Sequence, residues 1–283
     1  VAEATSLAVI IRSPSSLDPF SDKGARELKK WTRPLLSRLT AMGKLTREQL
    51  QRAEETELEL SGAPPPFLAP HFCDLLLEQN PDLRGTVATS LDLELQTALE
   101  GFVRTNLALL AEHKVGNAAA VVLEVESGKV RALVGSGDYH RNRDGQHNAA
   151  VSLRQPGSTI KPFTYALLLQ SVGQAGYILP DLNLYEDPTH EGFVPQNYDR
   201  RFHGPVSIRT ALACSYNVPA VRALERVGVE HLLDSLHRLG LDDLREPPDH
   251  YGLGLTLGDG SAGLLQLAEA YRVLARGGVH GGL

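Results

Sequence analysis

The chain has 283 residues, 42% of them hydrophobic, and a formal net charge of −6. That is enough apolar material for one large or two ordinary domains, and the mildly acidic balance argues against a nucleic-acid binder that works by neutralising phosphates. Two cysteines, Cys73 and Cys214, make neither a disulfide framework nor a metal-ligand spacing, and no apolar run is long enough to cross a membrane.

From the front, "LAVIIRSPSSLDPF" is an apolar segment broken by Pro14 and Pro19. "ARELKKWTRPLLSRLTAMG" carries apolar residues at helical spacing, with a kink expected at Pro34 and a stop at Gly43. Thr46 and Gln49 form a T-x-x-Q capping box that opens a second, charged helix. Ser61 to Pro70, "SGAPPPFLAP", is too proline-rich for a helix or a central strand and reads as a linker. "GTVATSLDLELQTALEGFVRTNLALLAEH" passes from an alternating strand into an amphipathic helix. "AAAVVLEVESGKVRALVGSGDY" reads as a β-hairpin that turns at Glu126, Ser127, Gly128 and Lys129. An apolar helix then begins near Ser158. The stretch 184–205 shows neither helical nor strand periodicity, which marks a functional or disordered loop. "VSIRTALACSYNVPAVRALERVGVEHLLDSLHRLG" reads as helix, short break, helix, helix, and "SAGLLQLAEAYRVLARGG" as a last amphipathic helix. The chain starts at Val1 without a methionine or signal peptide and stops in a loop, so both ends read as cuts through a longer protein.

Chemistry concentrates at "RQPGSTIKPFTYALLLQ", Arg154 to Gln170. Ser158 and Lys161 are three apart, so on a helix they share one face, and at its N-terminus the partial positive charge favours a developing anion. A neutral lysine within reach of a serine hydroxyl takes its proton and makes it a nucleophile. Bringing a lysine from ~10.4 to about 7 costs on the order of 4 kcal/mol, and burial or a second cation is the usual means. Gly157 permits a sharp turn into the helix, and Pro162, which lacks an N–H, places the helix start close to Ser158. Downstream, "SYN" (Ser215, Tyr216, Asn217) falls in the break between two helices, where a hydroxyl and an amide can face one cleft. Each motif is weak alone, and in isolation "SYNVP" reads better as a helix-capping turn.

S-x-x-K followed by S-x-N resembles the penicillin-recognising serine transferases. "QPGSTIKPFTYALLL", "NYDRRFHGPVSIRTALACSYNVPAVRALERVG" and "YGLGLTLGDGSAGLLQLAEAYRVLARGGV" are similar to class A penicillin-binding proteins, the bifunctional cell-wall synthases, and "RRFHGPVS" to their one-C subtype. The resemblance implies an α+β fold of the β-lactamase/transpeptidase kind, an antiparallel sheet with helices whose C-terminal strands are missing. It implies a helical glycosyltransferase tail over 1–60, a linker region over 61–116 and a truncated transpeptidase domain over 117–283. By the same resemblance Ser158 is the nucleophile toward a D-Ala-D-Ala stem peptide or a β-lactam, Lys161 the general base and Ser215 a proton relay to the leaving amine. Asn217 would hold the substrate amide, with Gly157 and Tyr216 also at the substrate. Implied partners are peptidoglycan stem peptides, the lipid-linked precursor and β-lactam antibiotics, with no nucleic acid, no metal and no cofactor. The implied setting is periplasmic, at the extracytoplasmic face of the inner membrane, with an anchor only in the full-length protein. A non-turnover β-lactam sensor or scaffold, or a D,D-carboxypeptidase or β-lactamase relative, stands as the alternative.

The family's third motif, K-[ST]-G, occurs nowhere; "KVG" at Lys114 to Gly116 has the wrong middle residue and precedes Ser158. The second lysine that would depress Lys161 is therefore absent from this sequence. Glu3, Glu54 and Glu55 are read as solvated helix faces. His190 and His203, with Asp187 or Glu191, lack the fixed spacing of metal ligands. The arginines of "YDRRF" are expected to pack on aromatics beside the site, Cys214 to be a buried small residue, and "LGLTLGDG" to be a plain turn.

Overall fold

The structure, a computed structural model, describes residues 1–58, 60, 67–141, 144–183 and 195–279. It divides into two compact units, Val1–Leu68 and Ala69–Leu283.

The first unit is helical: α1 (Ala2–Ile10), α2 (Asp22–Ala41) and α3 (Arg47–Glu55). Ser21 caps α2 by accepting the Gly24 N–H, and α2 runs through Pro34 to end at the expected stop, where Gly43 adopts φ +69°. The Thr46–Gln49 capping box is present in both directions, at 3.1 and 2.9 Å. Ala2, Leu36 and Ala53 form its small core, with Leu45, Leu50 and Leu58 packed around them.

Of the expected linker, 61–66 lie outside the described residues, and its last residue, Pro70, instead opens a helix, α4 (Pro70–Gln79). Proline is well placed there, because a first-turn N–H has no intrahelical partner to lose. The strand expected in "GTVATSLD" is not formed. The segment lies along the strand that contains Arg131, but only the Asp92 N–H reaches the Arg131 carbonyl (2.8 Å); the Ser90 hydroxyl, not a backbone donor, takes the Val130 carbonyl. Helix α5 (Leu93–Leu109) follows as expected, capped by Asp92.

The hairpin is present as β1 (Ala120–Leu123) and β2 (Val130–Val134), antiparallel, with Gly128 at φ +74° in the turn. A 3-10 turn at Gly157–Ile160 leads into α6 (Lys161–Val172). Next come β3 (Ile178–Asp181) and β4 (Gly204–Ser207), a second antiparallel pair that the reading of 184–205 as structureless did not foresee. Four helices follow among the described residues: α7 (Ile208–Ala213), α8 (Asn217–Val227), α9 (Val229–Arg238) and the short α10 (Pro248–Tyr251). A 3-10 turn at Gly252–Leu257 then precedes α11 (Leu264–Ala275).

Packing explains why these pieces hold the site. Helix α5 covers β2, and the buried Gln96 pairs its amide with both the N–H and the C=O of Leu133, like one residue of an added strand. Helix α11 covers β1; its buried Glu269–Arg272 ion pair reaches the hairpin turn through Arg272 to the Val125 carbonyl at 3.0 Å. Helix α6 is buried on two flanks. Ile160 and Phe163 pack with Leu224, Leu232 and Leu236, while Tyr165 and Leu168 pack with Leu179, Val206 and Ile208 of the β3–β4 side. The fold is α+β, and the sheet beside the Ser-Lys helix is β3–β4.

Candidate active site

Ser158 sits on the 3-10 turn just ahead of α6 and is exposed. Two features fix that turn. Gly157 has φ +59°, the left-handed region that glycine enters without strain. Behind it Gly258 comes so close that a Cβ there would lie 2.2 Å from the Gly157 nitrogen and 2.3 Å from its Cα. "LGLTLGDG" is thus a turn, as expected, and it is also the seat of the Ser158 loop. The Thr164 and Thr256 hydroxyls, 2.8 Å apart and buried, pin α6 to the same turn.

Lys161, one residue into α6, is fully buried. Its Nζ donates to the Ser215 carbonyl (2.6 Å), the Ser215 hydroxyl (3.2 Å) and the Asn217 Oδ1 (2.6 Å). All three ammonium protons have acceptors, and none of these bonds goes to Ser158. Burial disfavours the charged form and lowers the Lys161 pKa from the usual 10.5 to about 8. Burial alone thus moves Lys161 in the direction that a second cation was expected to move it.

Ser215 stands at φ +53°, an uncommon conformation for a residue with a Cβ. It bends the chain between α7 and α8 so that its carbonyl, its hydroxyl and the next-but-one side chain face one point. Asn217 opens α8; its Nδ2 donates to the Gln196 carbonyl at 2.6 Å, which leaves Oδ1 for Lys161. Tyr216 points elsewhere: its ring stacks on His203 with centroids 4.1 Å apart and planes 16° from parallel.

Both ring nitrogens of His203 face carboxylates. Its Nδ1 lies 2.7 Å from Asp181 and its Nε2 3.0 Å from Asp199, and the hydrogen bond to Asp181 leads the causes that raise its pKa above 6.5. His190, Asp187 and Glu191 lie outside the described residues, and no cluster that could hold a metal occurs among the described ones. Arg200 and Arg201 are exposed, and so is Cys214, which corrects its reading as a buried residue.

The structure therefore brings Lys161, Ser215 and Asn217 together, with Ser158 one turn away on a separately braced loop. Sequence reading missed Gly258, Asp181 and Asn197. The aperiodic stretch 184–205 and the family-like segment that opens at Asn197 pointed to this region, but neither singled out the side chain.

Residues 118–280 match the penicillin binding protein transpeptidase domain. The chain belongs to that family. It is 33% identical to penicillin-binding protein 1C of Escherichia coli across all of this chain and 36% of that protein. The fold is similar to the crystal structure of penicillin-binding protein 1A from Haemophilus influenzae, with TM-score 0.71 and 20% identity over 96% of this chain and 55% of that one. It is also similar to PonA1 from Mycobacterium tuberculosis, solved with penicillin V, with TM-score 0.57 and 24% identity over 75% of this chain and 58% of that one. The chain thus spans little more than a third of its E. coli relative.

Proposed function

We propose that this chain carries the acylating half of a serine D,D-transpeptidase site, in which Ser158 forms an acyl-enzyme with D-Ala-D-Ala stem peptides and with β-lactams. The observation that carries the reading is the convergence of two distant motifs on one buried amine: Lys161 of S-x-x-K held by Ser215 and Asn217 of S-x-N.

The chemistry follows from the donor count. Once neutral, Lys161 keeps two N–H donors, which the Ser215 carbonyl and Asn217 Oδ1 retain at 2.6 Å each, and turns its lone pair toward a hydroxyl. Ser158 Oγ attacks the carbonyl carbon of the scissile amide and its proton passes to Lys161. The C–N bond then breaks, the leaving amine takes a proton by way of the Ser215 hydroxyl, and an ester on Ser158 remains. An amine of a second stem peptide attacks that ester and gives its proton to Lys161. The ester C–O bond breaks, and Lys161 returns the proton to the departing Ser158 Oγ, which closes the cross-link and restores the neutral lysine. The Ser158 N–H would supply one oxyanion donor, where a lost donor costs about 3 kcal/mol. Asn217 and Gly157 would line the substrate, whereas the Tyr216 ring, stacked on His203, is turned away from it.

Residues 1–60 we assign to the tail of a glycosyltransferase domain and 61–116 to the connection, so the full-length protein would also act on the lipid-linked precursor at the extracytoplasmic face of the membrane. No helix among the described residues is long and apolar enough to cross a membrane.

The test is mass spectrometry after incubation with benzylpenicillin, on this chain and on one extended at its C-terminus. A covalent increment in either that disappears in Ser158→Ala supports the assignment. An extended protein that folds and takes no penicillin refutes it.

A further inference from the structure

Helix α8 begins at the motif, yet the motif does not cap it. A helix N-terminus presents unsatisfied N–H groups, and a serine or asparagine there ordinarily turns its own side chain back to accept one. At α8 the capping position is Tyr216, which makes no such bond, and both Ser215 and Asn217 spend their side chains on Lys161. The cap comes from elsewhere. Asn197 Oδ1, twenty residues upstream, accepts from the backbone N–H of Asn217 at 2.8 Å and of Val218 at 3.3 Å.

Asn197 is itself held. It is buried, and its Nδ2 faces both carboxylate oxygens of Asp181 at 2.9 Å each and the Arg201 carbonyl at 2.7 Å. Its orientation is unambiguous, because a carboxylate only accepts and a backbone N–H only donates. Asp181, fully buried at the end of β3, also receives the His203 N–H at 3.0 Å and faces the His203 ring, on which Tyr216 stacks. One continuous chain of contacts runs from β3 through Asp181 and Asn197 to the start of α8, and from there to Lys161.

We propose that Asn197, oriented by Asp181, is a positioning residue for the reaction: it caps α8 in place of the motif and so frees Ser215 and Asn217 to hold the Lys161 amine. This rests on the acyl-enzyme reading above. The role is specific. A cap drawn from Ser215 or Asn217 would remove one of the acceptors that fix Lys161, so capping and catalysis compete for the same side chains unless a third residue relieves them.

The experiment uses the full-length protein and a fluorescent penicillin, reading the acylation rate constant and, separately, the fraction finally labelled. Asn197→Ala slows acylation about tenfold or more, one buried hydrogen bond's worth, while the folded fraction still labels to completion. Tyr198→Ala, on the same segment and fully exposed, labels at the unaltered rate. Asn197→Asp alone sets two carboxylates against each other; adding Asp181→Asn restores a donor facing an acceptor and recovers most of the rate. That pair of variants reads the same contact if Asn197→Ala does not fold. A purely structural role predicts a lower melting temperature and a smaller labelled fraction with an unchanged rate constant, and that result overturns the proposal. So does a slow Asn197→Asp that the second change leaves slow. An unmodified protein that takes no penicillin removes the Ser158 reading itself, and is distinguished from both by its zero labelled fraction.

Discussion

At the scale of single residues, the proposed mechanism makes Lys161 the group that sets the pH behaviour. With its pKa lowered by burial to about 8, roughly a tenth of it is neutral at pH 7. The acylation rate constant should therefore rise about tenfold between pH 7 and a plateau above pH 9, and a flat profile over that range would exclude Lys161 as the base. Stability carries the same signature with a definite sign. The folded pKa lies below the unfolded one, so the unfolded chain binds the extra proton between pH 8 and 10.5, and stability rises across that window. The gain, on the order of 3 kcal/mol, should be missing from the pH dependence of urea unfolding in Lys161→Met. His203 runs the other way. Its pKa is raised by the bond to Asp181, so the imidazolium contact is complete below pH 6.5 and is lost as pH rises through the higher folded value. Nitrogen NMR of the ring should show it giving up its proton at a higher pH than a free histidine, and an ordinary or lowered midpoint would contradict the pairing with two carboxylates.

At the scale of elements, two packing contacts make predictions that differ in kind. Gly258→Ala places a methyl 2.2 to 2.6 Å from the Gly157 backbone at a φ of +93°, so the Ser158 turn has to move. A loss of about 1–3 kcal/mol is expected together with slower acylation, whereas Gly176→Ala, with open space around it, should change neither. Glu269→Ala strands a buried guanidinium between α11 and the hairpin, and chemical denaturation should show a loss of about 3–5 kcal/mol. The same scale shows where the sequence could be read. The capping box, the stop at Gly43 and the hairpin turn at Gly128 are local devices, complete within a few residues, and each appears as expected. The β3–β4 pair was illegible because each short strand contains a proline, and Pro180 and Pro205 stand opposite each other in the ladder. Neither has an N–H to give, so a pattern reader demotes both strands, while the buried Leu179 and Val206 beside them supply the reason they pair. Asn197 was hidden for a related reason: its partners are 16 and 20 residues away, and no period links them.

For the whole molecule, the separate core of each unit is the informative fact. Ile160, Leu224, Leu232 and their neighbours, and the cluster around Tyr165, lie wholly within Ala69–Leu283. A chain cut to residues 69–283 should keep a cooperative thermal transition and its near-ultraviolet signature, and a non-cooperative melt would show that the first unit is needed for that core. The functional class was legible at this scale because S-x-x-K and S-x-N kept their order within long matching segments. The geometry between them was not, since 54 residues separate Lys161 from Ser215 and only the packing of α6 on α8 closes that distance.

The left-handed backbone at Ser215 sets heat resistance against turnover. Glycine in its place would relieve about 1 kcal/mol of backbone strain and remove the hydroxyl that faces Lys161 at 3.2 Å. On the proposed mechanism, any variant that relieves this strain by placing glycine at 215 gives up the hydroxyl that would hand a proton to the leaving amine.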